Sequence, residues 1–233
     1  MPIFRYALAS TPARPARLRG LPQAAAALGI ALALAAGPAP LPAYAEPVQA
    51  STGTVATPVV DAFYTVLLAV MKDGPTLGFS GRVAQLTPAI TRAFDLPAMT
   101  RIAAGAQWPT LAADDQHRLI DAFGRFSVAS YAANFDSFDG ERFEVLREVP
   151  APGSGGGVIV ESRLLPRTGD PVQFNYLLRR GTDGLQIIDV FVNGTISEMA
   201  ARRSEFSSVL NRGGAQALIE VLETRIKALA ARK

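Results

Sequence analysis

Val172-Gln-Phe-Asn-Tyr-Leu-Leu-Arg-Arg180 is the stretch on which the fold turns. Val172, Phe174, Tyr176 and Leu178 alternate with Gln173, Asn175, Leu177 and Arg179. A period of two sends successive side chains to opposite faces of a strand. Upstream, Arg167–Asp170 reads as a turn, and Val158–Pro166 repeats the alternation with Val158, Val160, Ser162 and Leu164 on one face. Pro150–Gly157 is a Gly-rich hairpin tip preceded by a further strand, Arg142–Val149. Downstream, Gly181–Gly184 turns the chain into Leu185–Val192. Links this short join antiparallel neighbours. Residues 139–195 are therefore predicted to form a four-stranded antiparallel meander.

On either side of the meander the period is 3.6. Thr57-Pro58 supplies an N-cap and a first-turn proline, and Val59, Phe63, Val66, Leu67 and Val70 follow at helical spacing up to Asp73-Gly74. Further helices are predicted over Arg82–Leu86, from Thr87-Pro88 with Ile90 and Phe94 inward, and from Asp95-Leu96-Pro97 to about Gly105. Ala113–Phe135 carries the widest apolar stripe, Leu119, Ile120, Phe123, Phe126, Tyr131 and Phe135, with Asp114 and Asp115 in the first turn where negative charge suits the helix dipole. Ser197–Leu210 and Ala215–Ala230 close the chain, separated by Gly213-Gly214, the second with Leu218, Leu222, Ile226 and Leu229 inward. The expected class is α+β, with six to seven helices packed on one face of the sheet. Residues 57–233 are expected to form one domain: a mainly helical part (57–138), the sheet (139–195) and C-terminal helices (196–233).

The chain has 233 residues, 49% of them apolar and 18% charged, which excludes a disordered tail protein or a collagen-like fibre. It contains no cysteine, so it has no disulfide scaffold, thiolate metal site or cysteine nucleophile. Residues 1–45 read as a secretory signal peptide. Arg5, Arg14, Arg17 and Arg19 form the positive region, Ala24–Ala36 the apolar run, and Ala43-Tyr-Ala45 the cleavage pattern. The apolar run is shorter than the roughly 20 residues that span a bilayer. Glu46–Ala56 is read as a flexible lead-in. The product is expected outside the cytoplasm, in the periplasm of a double-membrane bacterium. Of the 23 basic residues these four belong to the leader, leaving 19 against 20 acidic ones, a net charge of −1. The balance gives no argument for nucleic-acid binding.

Candidate chemistry is sparse. His117 is the one histidine and has no second ligand of its kind. Asp136, Asp139 and Glu141 are spaced by three rather than alternately, which suits a helix-to-strand turn better than a calcium loop. Gly153–Gly157 lies between strands and opens no helix, so it is no phosphate cradle. Asn193-Gly194 reads as a turn. No catalytic or metal site is assigned. What remains is an excess of aromatic residues predicted to face one sheet–helix interface: Phe63, Tyr64, Phe123, Phe126, Tyr131, Phe135, Phe174, Tyr176 and Phe191. Their pattern fits either an ordinary core or an unfilled gap that holds a lipid.

An ordered series of motifs resembles the MlaC family. It comprises Gly105-Ala-Gln-Trp108, Phe123, Tyr131-Ala132, the hairpin sheet, Asp189-Val190, Gly194, Arg203-Ser-Glu-Phe206 and Gly213-Gly214 before Leu218. Thr76-Leu-Gly-Phe-Ser-Gly-Arg82, Phe94-Asp-Leu-Pro-Ala-Met99 and Asn134-Phe-Asp-Ser-Phe-Asp-Gly-Glu-Arg-Phe143 look like its HpnM subgroup, associated with hopanoid biosynthesis. The resemblance implies an NTF2-like sheet and a soluble periplasmic lipid carrier without cofactor. It also implies a phospholipid or hopanoid ligand, and partners in an inner-membrane ABC-type lipid transporter and an outer-membrane lipoprotein complex. The pocket residues expected on this basis are Phe63, Leu67, Trp108, Phe123, Phe126, Tyr131, Val160, Phe174, Tyr176 and Phe191, with Arg101, Arg202 and Arg203 at a mildly positive mouth or docking face. Two departures from the family pattern, the extra residue in Gly194-Thr-Ile-Ser197 and the absence of Trp from Leu185-Gln-Ile-Ile-Asp189, are expected to reshape the sheet side. The alternatives are a non-catalytic scaffold of a hopanoid-processing complex and an NTF2-like enzyme using Asp189 and Tyr176.

Overall fold

The alternation over 142–192 produces four long antiparallel strands: β1 (Arg142–Pro150), β2 (Val158–Leu165), β3 (Val172–Gly181) and β4 (Gly184–Val192). A fifth, β5 (Ile196–Ser197), extends the meander to the order β1-β2-β3-β4-β5. The expectation of four strands is corrected by this short one. Asn193 and Gly194, both with positive φ (52° and 76°), turn the chain back so that Ile196 pairs with Val192 and Ser197 with Phe191. Two residues are too few to show an alternation.

The computed structural model describes residues 56–232 apart from 152, 154 and 182. The expected signal peptide, and all of the expected lead-in except Ala56, lie outside the described residues. The helices are α1 (Thr57–Lys72), α2 (Gly74–Ala93), α3 (Leu96–Ala104), α4 (Ala113–Asn134) and α5 (Glu198–Ala230), with a 3-10 turn at Gly105–Thr110. Among the described residues five α-helical runs stand where six to seven helices were expected, because Pro88 does not end a helix and α5 takes the last two expected helices as one run. Pro88 lies inside α2. Its ring denies Ala84 a hydrogen-bond donor, but both residues are exposed, so water can serve that carbonyl. In α5 Gly214 leaves helical geometry (φ 65°, ψ −164°), so this run joins two helical pieces across a kink at the expected Gly213-Gly214 break. Gly78 kinks α2 in the same way (φ 59°, ψ −179°).

The inner face of the sheet carries Val160, Leu164, Phe174, Tyr176, Leu178, Val190 and Val192, all buried. Cross-strand pairs Glu144–Arg163 and Arg147–Glu161 mark the outer face. Against the inner face lies an aromatic core. Phe63 meets Phe94 and Tyr131 edge-on at 5.2 and 5.3 Å, and Tyr64 stacks on Phe143 at 4.3 Å and meets Tyr176 at 5.7 Å. Ser162 donates to the Phe174 carbonyl at 2.5 Å, which leaves its oxygen to accept from the Tyr64 hydroxyl at 2.6 Å. Burial pushes the Tyr64 phenol up to about 12, against the opposing effect of that hydrogen bond.

Two polar clamps fix the helices. Arg82, 8% exposed, donates to the carbonyls of Ala132 and Gly74 at 2.7 and 2.8 Å, tying the start of α2 to the end of α4. A Cβ at Gly74 would fall 2.1 Å from the Asp136 carbonyl oxygen, so that junction admits only glycine. Asp189 accepts from the Val190 and Met199 amides at 2.7 and 3.1 Å and from the Ser197 hydroxyl at 2.5 Å. Ser197 caps α5 through the Ala200 amide at 2.9 Å, so the Gly194–Ser197 insertion ends in a working helix start.

Candidate functional site

The packing of α2, α3 and α4 leaves a hollow of about 560 Å³. The α2–α3 junction sets its floor. The Asp95 amide donates to the Ile187 carbonyl at 2.9 Å, the Asp95 carboxylate caps α3 through the Ala98 amide at 2.8 Å, and the Gln186 side chain reaches the Arg92 carbonyl at 3.3 Å. Phe94, Leu96 and Pro97 are thereby held over the first residues of β4. The walls are Phe79 and Val83 from α2, Ile120, Gly124 and Val128 from α4, and Ile226 from the second half of α5. The kink at Gly78 immediately precedes the wall residue Phe79. Gly124 keeps α4 open: a Cβ there would touch only the Leu96 Cδ1 at 3.5 Å.

The rim of this hollow carries Thr87, Thr91, Asp95, Asp121, Asp183 and Arg125. Arg125 is itself paired with Glu223. Three carboxylates against one guanidinium make this rim acidic, unlike the mildly positive mouth expected from the sequence.

A second hollow of about 50 Å³ lies between α3, α4, β4 and the start of α5. Phe94 and Leu96 line both spaces, so the two are separated by a partition of those side chains. Ser127, Ser130, Glu198 and Arg202 form its polar side. The Arg202 guanidinium lies over the Phe126 ring at 5.0 Å, between Glu198 at 3.7 Å and Glu205 at 3.4 Å. Burial pushes the Glu198 carboxyl up, partly offset by the Arg202 charge. Burial also opposes ionisation of Glu205, but hydrogen bonds and charge from Arg225 and Arg202 outweigh it and hold that carboxyl below its ordinary range.

Of the residues singled out in the sequence, Phe123, Phe126 and Tyr131 line the smaller hollow and none lines the larger. Phe63, Leu67, Val160, Phe174 and Tyr176 are packed in the core, at 0–3% exposure. Trp108 is half-buried in the 3-10 turn against that core. Phe191 is a correction. It pairs with Asn175 on the outer face, whereas Val190 pairs with Tyr176 on the inner one. A bulge at Ile188 shifts the register between Leu177 and Leu178 and reverses the parity of everything after it. Arg202 rims the smaller hollow, Arg101 is exposed on α3, and Arg203 donates to the Ile102 carbonyl at 3.1 Å. His117 is exposed, and Asp139 pairs with Arg167 at 3.0 Å while its amide donates to Glu141 at 2.6 Å. Among the described residues no three His, Asp or Glu side chains gather closely enough to share a metal ion.

The family model described as MlaC protein matches residues 62–224. The chain belongs to the MlaC family. Among solved structures, a phospholipid-binding protein from Ralstonia solanacearum in complex with a phospholipid has the same fold, with a TM-score of 0.65 at 22% identity. That match covers 75% of this chain and 98% of the Ralstonia chain. A search of curated proteins found no match.

Within this MlaC-family chain, the walls that sequence reasoning passed over are Phe79, Val83, Gly124 and Val128. Ile120 and Ile226 stood in inward stripes but were read as core. The one usable signal was Gly124, a glycine in the middle of the strongest helix, where it costs up to about 1 kcal/mol and no turn requires it.

Proposed function

We propose that the protein is a lipid carrier that shelters an acyl chain in the 560 Å³ hollow. The observation that carries this reading is an apolar-walled space of that size, open to solvent through a polar rim, in a member of the MlaC family. The phospholipid seated in the Ralstonia protein of the same fold supports it. A diacyl lipid exposes roughly 30 methylenes, and at about 0.8 kcal/mol each their hydration costs on the order of 20 kcal/mol or more. Free diffusion of such a molecule through water is very slow, and a dry slot removes that barrier. The volume falls within the roughly 300–1,000 Å³ of small-molecule sites and suits one tail. The phosphate keeps contact with solvent, because burying it without full compensation costs far more than its contacts return.

No chemistry on the cargo is needed for this role. Asp189 is engaged by three donors at the β4–α5 junction, and Tyr176 is 2% exposed in the core, which supports binding rather than catalysis. Among the described residues no helix is long and apolar enough to cross a membrane. Together with the signal-peptide reading of residues 1–45, this supports a carrier working in the periplasm between an inner-membrane ABC-type transporter and an outer-membrane lipoprotein complex. The HpnM-like motifs add hopanoids to phospholipids as cargo. Native mass spectrometry and lipid extraction of protein purified from its host test the proposal. Near-stoichiometric phospholipid or hopanoid is expected, and a lipid-free protein from lipid-replete cells refutes it.

A further inference from the structure

Among the described residues, Glu198 Oε1 is a buried side-chain oxygen with no hydrogen-bond partner. The residue is 6% exposed. Its other oxygen faces Arg202 at 3.7 Å, beyond hydrogen-bond reach, and Arg202 is shared with Glu205 and the Phe126 ring. An unpaired carboxylate oxygen in the interior is costly. An acid at the first position of α5 would serve the helix dipole equally well facing water, so the inward placement of Glu198 calls for a cause. Ser127 and Ser130 border the same 50 Å³ space. Their hydroxyl protons go to the Phe123 and Phe126 carbonyls at 2.9 and 2.8 Å, so towards the hollow these serines offer oxygens that only accept. The polar side of the hollow is thus a set of acceptors next to one cation, with room for a few heavy atoms. It complements a small group that donates.

We propose that the smaller hollow is a polar subsite in which Glu198 accepts a hydrogen bond from an ammonium or hydroxyl group of the bound lipid's head. The proposal rests on the lipid-carrier reading and adds to it the chemistry of the cargo: heads with N–H or O–H donors are preferred over heads without them. Phe94 and Leu96 line both hollows, so a head group at Glu198 and a tail in the larger space lie on two sides of one partition. Arg202 takes the phosphate side of the same head, at the rim.

The test incubates the chain purified from its host with vesicles holding equal parts of phosphatidylethanolamine, phosphatidylglycerol and phosphatidylcholine with identical tails, and reads the bound lipid by native mass spectrometry. The first offers an ammonium donor, the second hydroxyl donors, the third none. Wild-type protein is expected to favour one or both donor lipids over phosphatidylcholine by at least about tenfold, the scale of one hydrogen bond to a charged group. Glu198→Leu should bring the ratio close to one while phosphatidylcholine loading persists. Glu198→Gln keeps the accepting oxygen and loses the charge, so a hydroxyl preference should survive it and an ammonium preference should not; it also serves if the leucine variant fails to fold. Equal uptake of the three lipids by wild type, or a preference that both variants retain, overturns the proposal and leaves Glu198 a structural residue beside trapped water. No uptake of any lipid by wild type overturns the carrier reading itself, and this proposal with it, a result distinct from equal uptake.

Discussion

Tyr176→Ala and Gly124→Phe, taken together, decide which of two adjacent regions shelters cargo. Tyr176 is 2% exposed, between Tyr64 and the inner face of β2. A buried aromatic of this kind removes roughly 150–250 Å² from water, and truncating it to alanine costs about 3–5 kcal/mol. For a domain of 150–250 residues each kcal/mol lowers Tm by about 2–4 °C, so a fall of roughly 6–20 °C is expected. If the variant still folds at the growth temperature, it should carry a full lipid load, because Tyr176 touches neither hollow. Gly124→Phe is the reverse case. Its Cβ meets only Leu96 Cδ1, its backbone is already helical, and the ring must grow into the 560 Å³ space. Replacing glycine by a better helix former offsets the strain, so stability should stay within about 1 kcal/mol of wild type. Displacing even two methylenes of a tail, about 1.6 kcal/mol, lowers loading by more than tenfold. Thermal unfolding and native mass spectrometry on the same preparations provide both readouts. The reasoning fails if Tyr176→Ala leaves Tm unchanged and loses lipid, which would make the sheet face the slot, or if Gly124→Phe folds and retains its lipid.

The glycine kinks and the two interior acids provide further tests. Gly78 and Gly214 combine φ near +60° with extended ψ, a region open essentially to glycine alone, and no atom lies within 4 Å of a Cβ at either site. Gly214→Ala and Gly78→Ala should each cost about 1–3 kcal/mol from backbone strain alone, read as a lower urea midpoint at unchanged m; an unchanged midpoint would mean that the helices run straight in solution. Glu205 and Glu198 share Arg202 but should show opposite pH behaviour. The Glu205 carboxyl is held below its ordinary range, so its contribution is present above the unfolded-state pKa and lost as pH falls through the folded one. The Glu198 carboxyl is pushed up, so its contribution is present below the unfolded-state pKa and lost as pH rises through the folded one. Denaturant midpoints measured from about pH 7 down to about pH 3 should therefore show the deficit of Glu205→Gln shrinking towards acid, and any advantage of Glu198→Gln confined to the neutral end. Parallel curves for the two variants would contradict the arrangement around Arg202.

What could be read from the chain, and what could not, follows from what a periodic pattern encodes. Alternation over Arg142–Val192 reports which side chains are shielded, and with the turns between the runs it suffices to place four strands in order. It has no means of reporting a bulge, since one extra residue at Ile188 leaves composition and length unchanged while sending Phe191 to the outer face. Proline is read as a stop because its ring removes a donor, yet at Pro88 the orphaned carbonyl lies on the solvent side and the helix continues. The candidate site was the least legible part for the same reason. Apolar spacing marks burial, and a residue that lines a void is shielded as well as one in contact on all sides. The largest rings, Phe63, Phe174 and Tyr176, drew attention because they are large, and large rings fill space. A hollow arises instead where the chain withholds volume, as at Gly124 on α4. For a protein whose work is to keep a space open, the residues to seek in the sequence are therefore the small ones set where regular structure would prefer something larger.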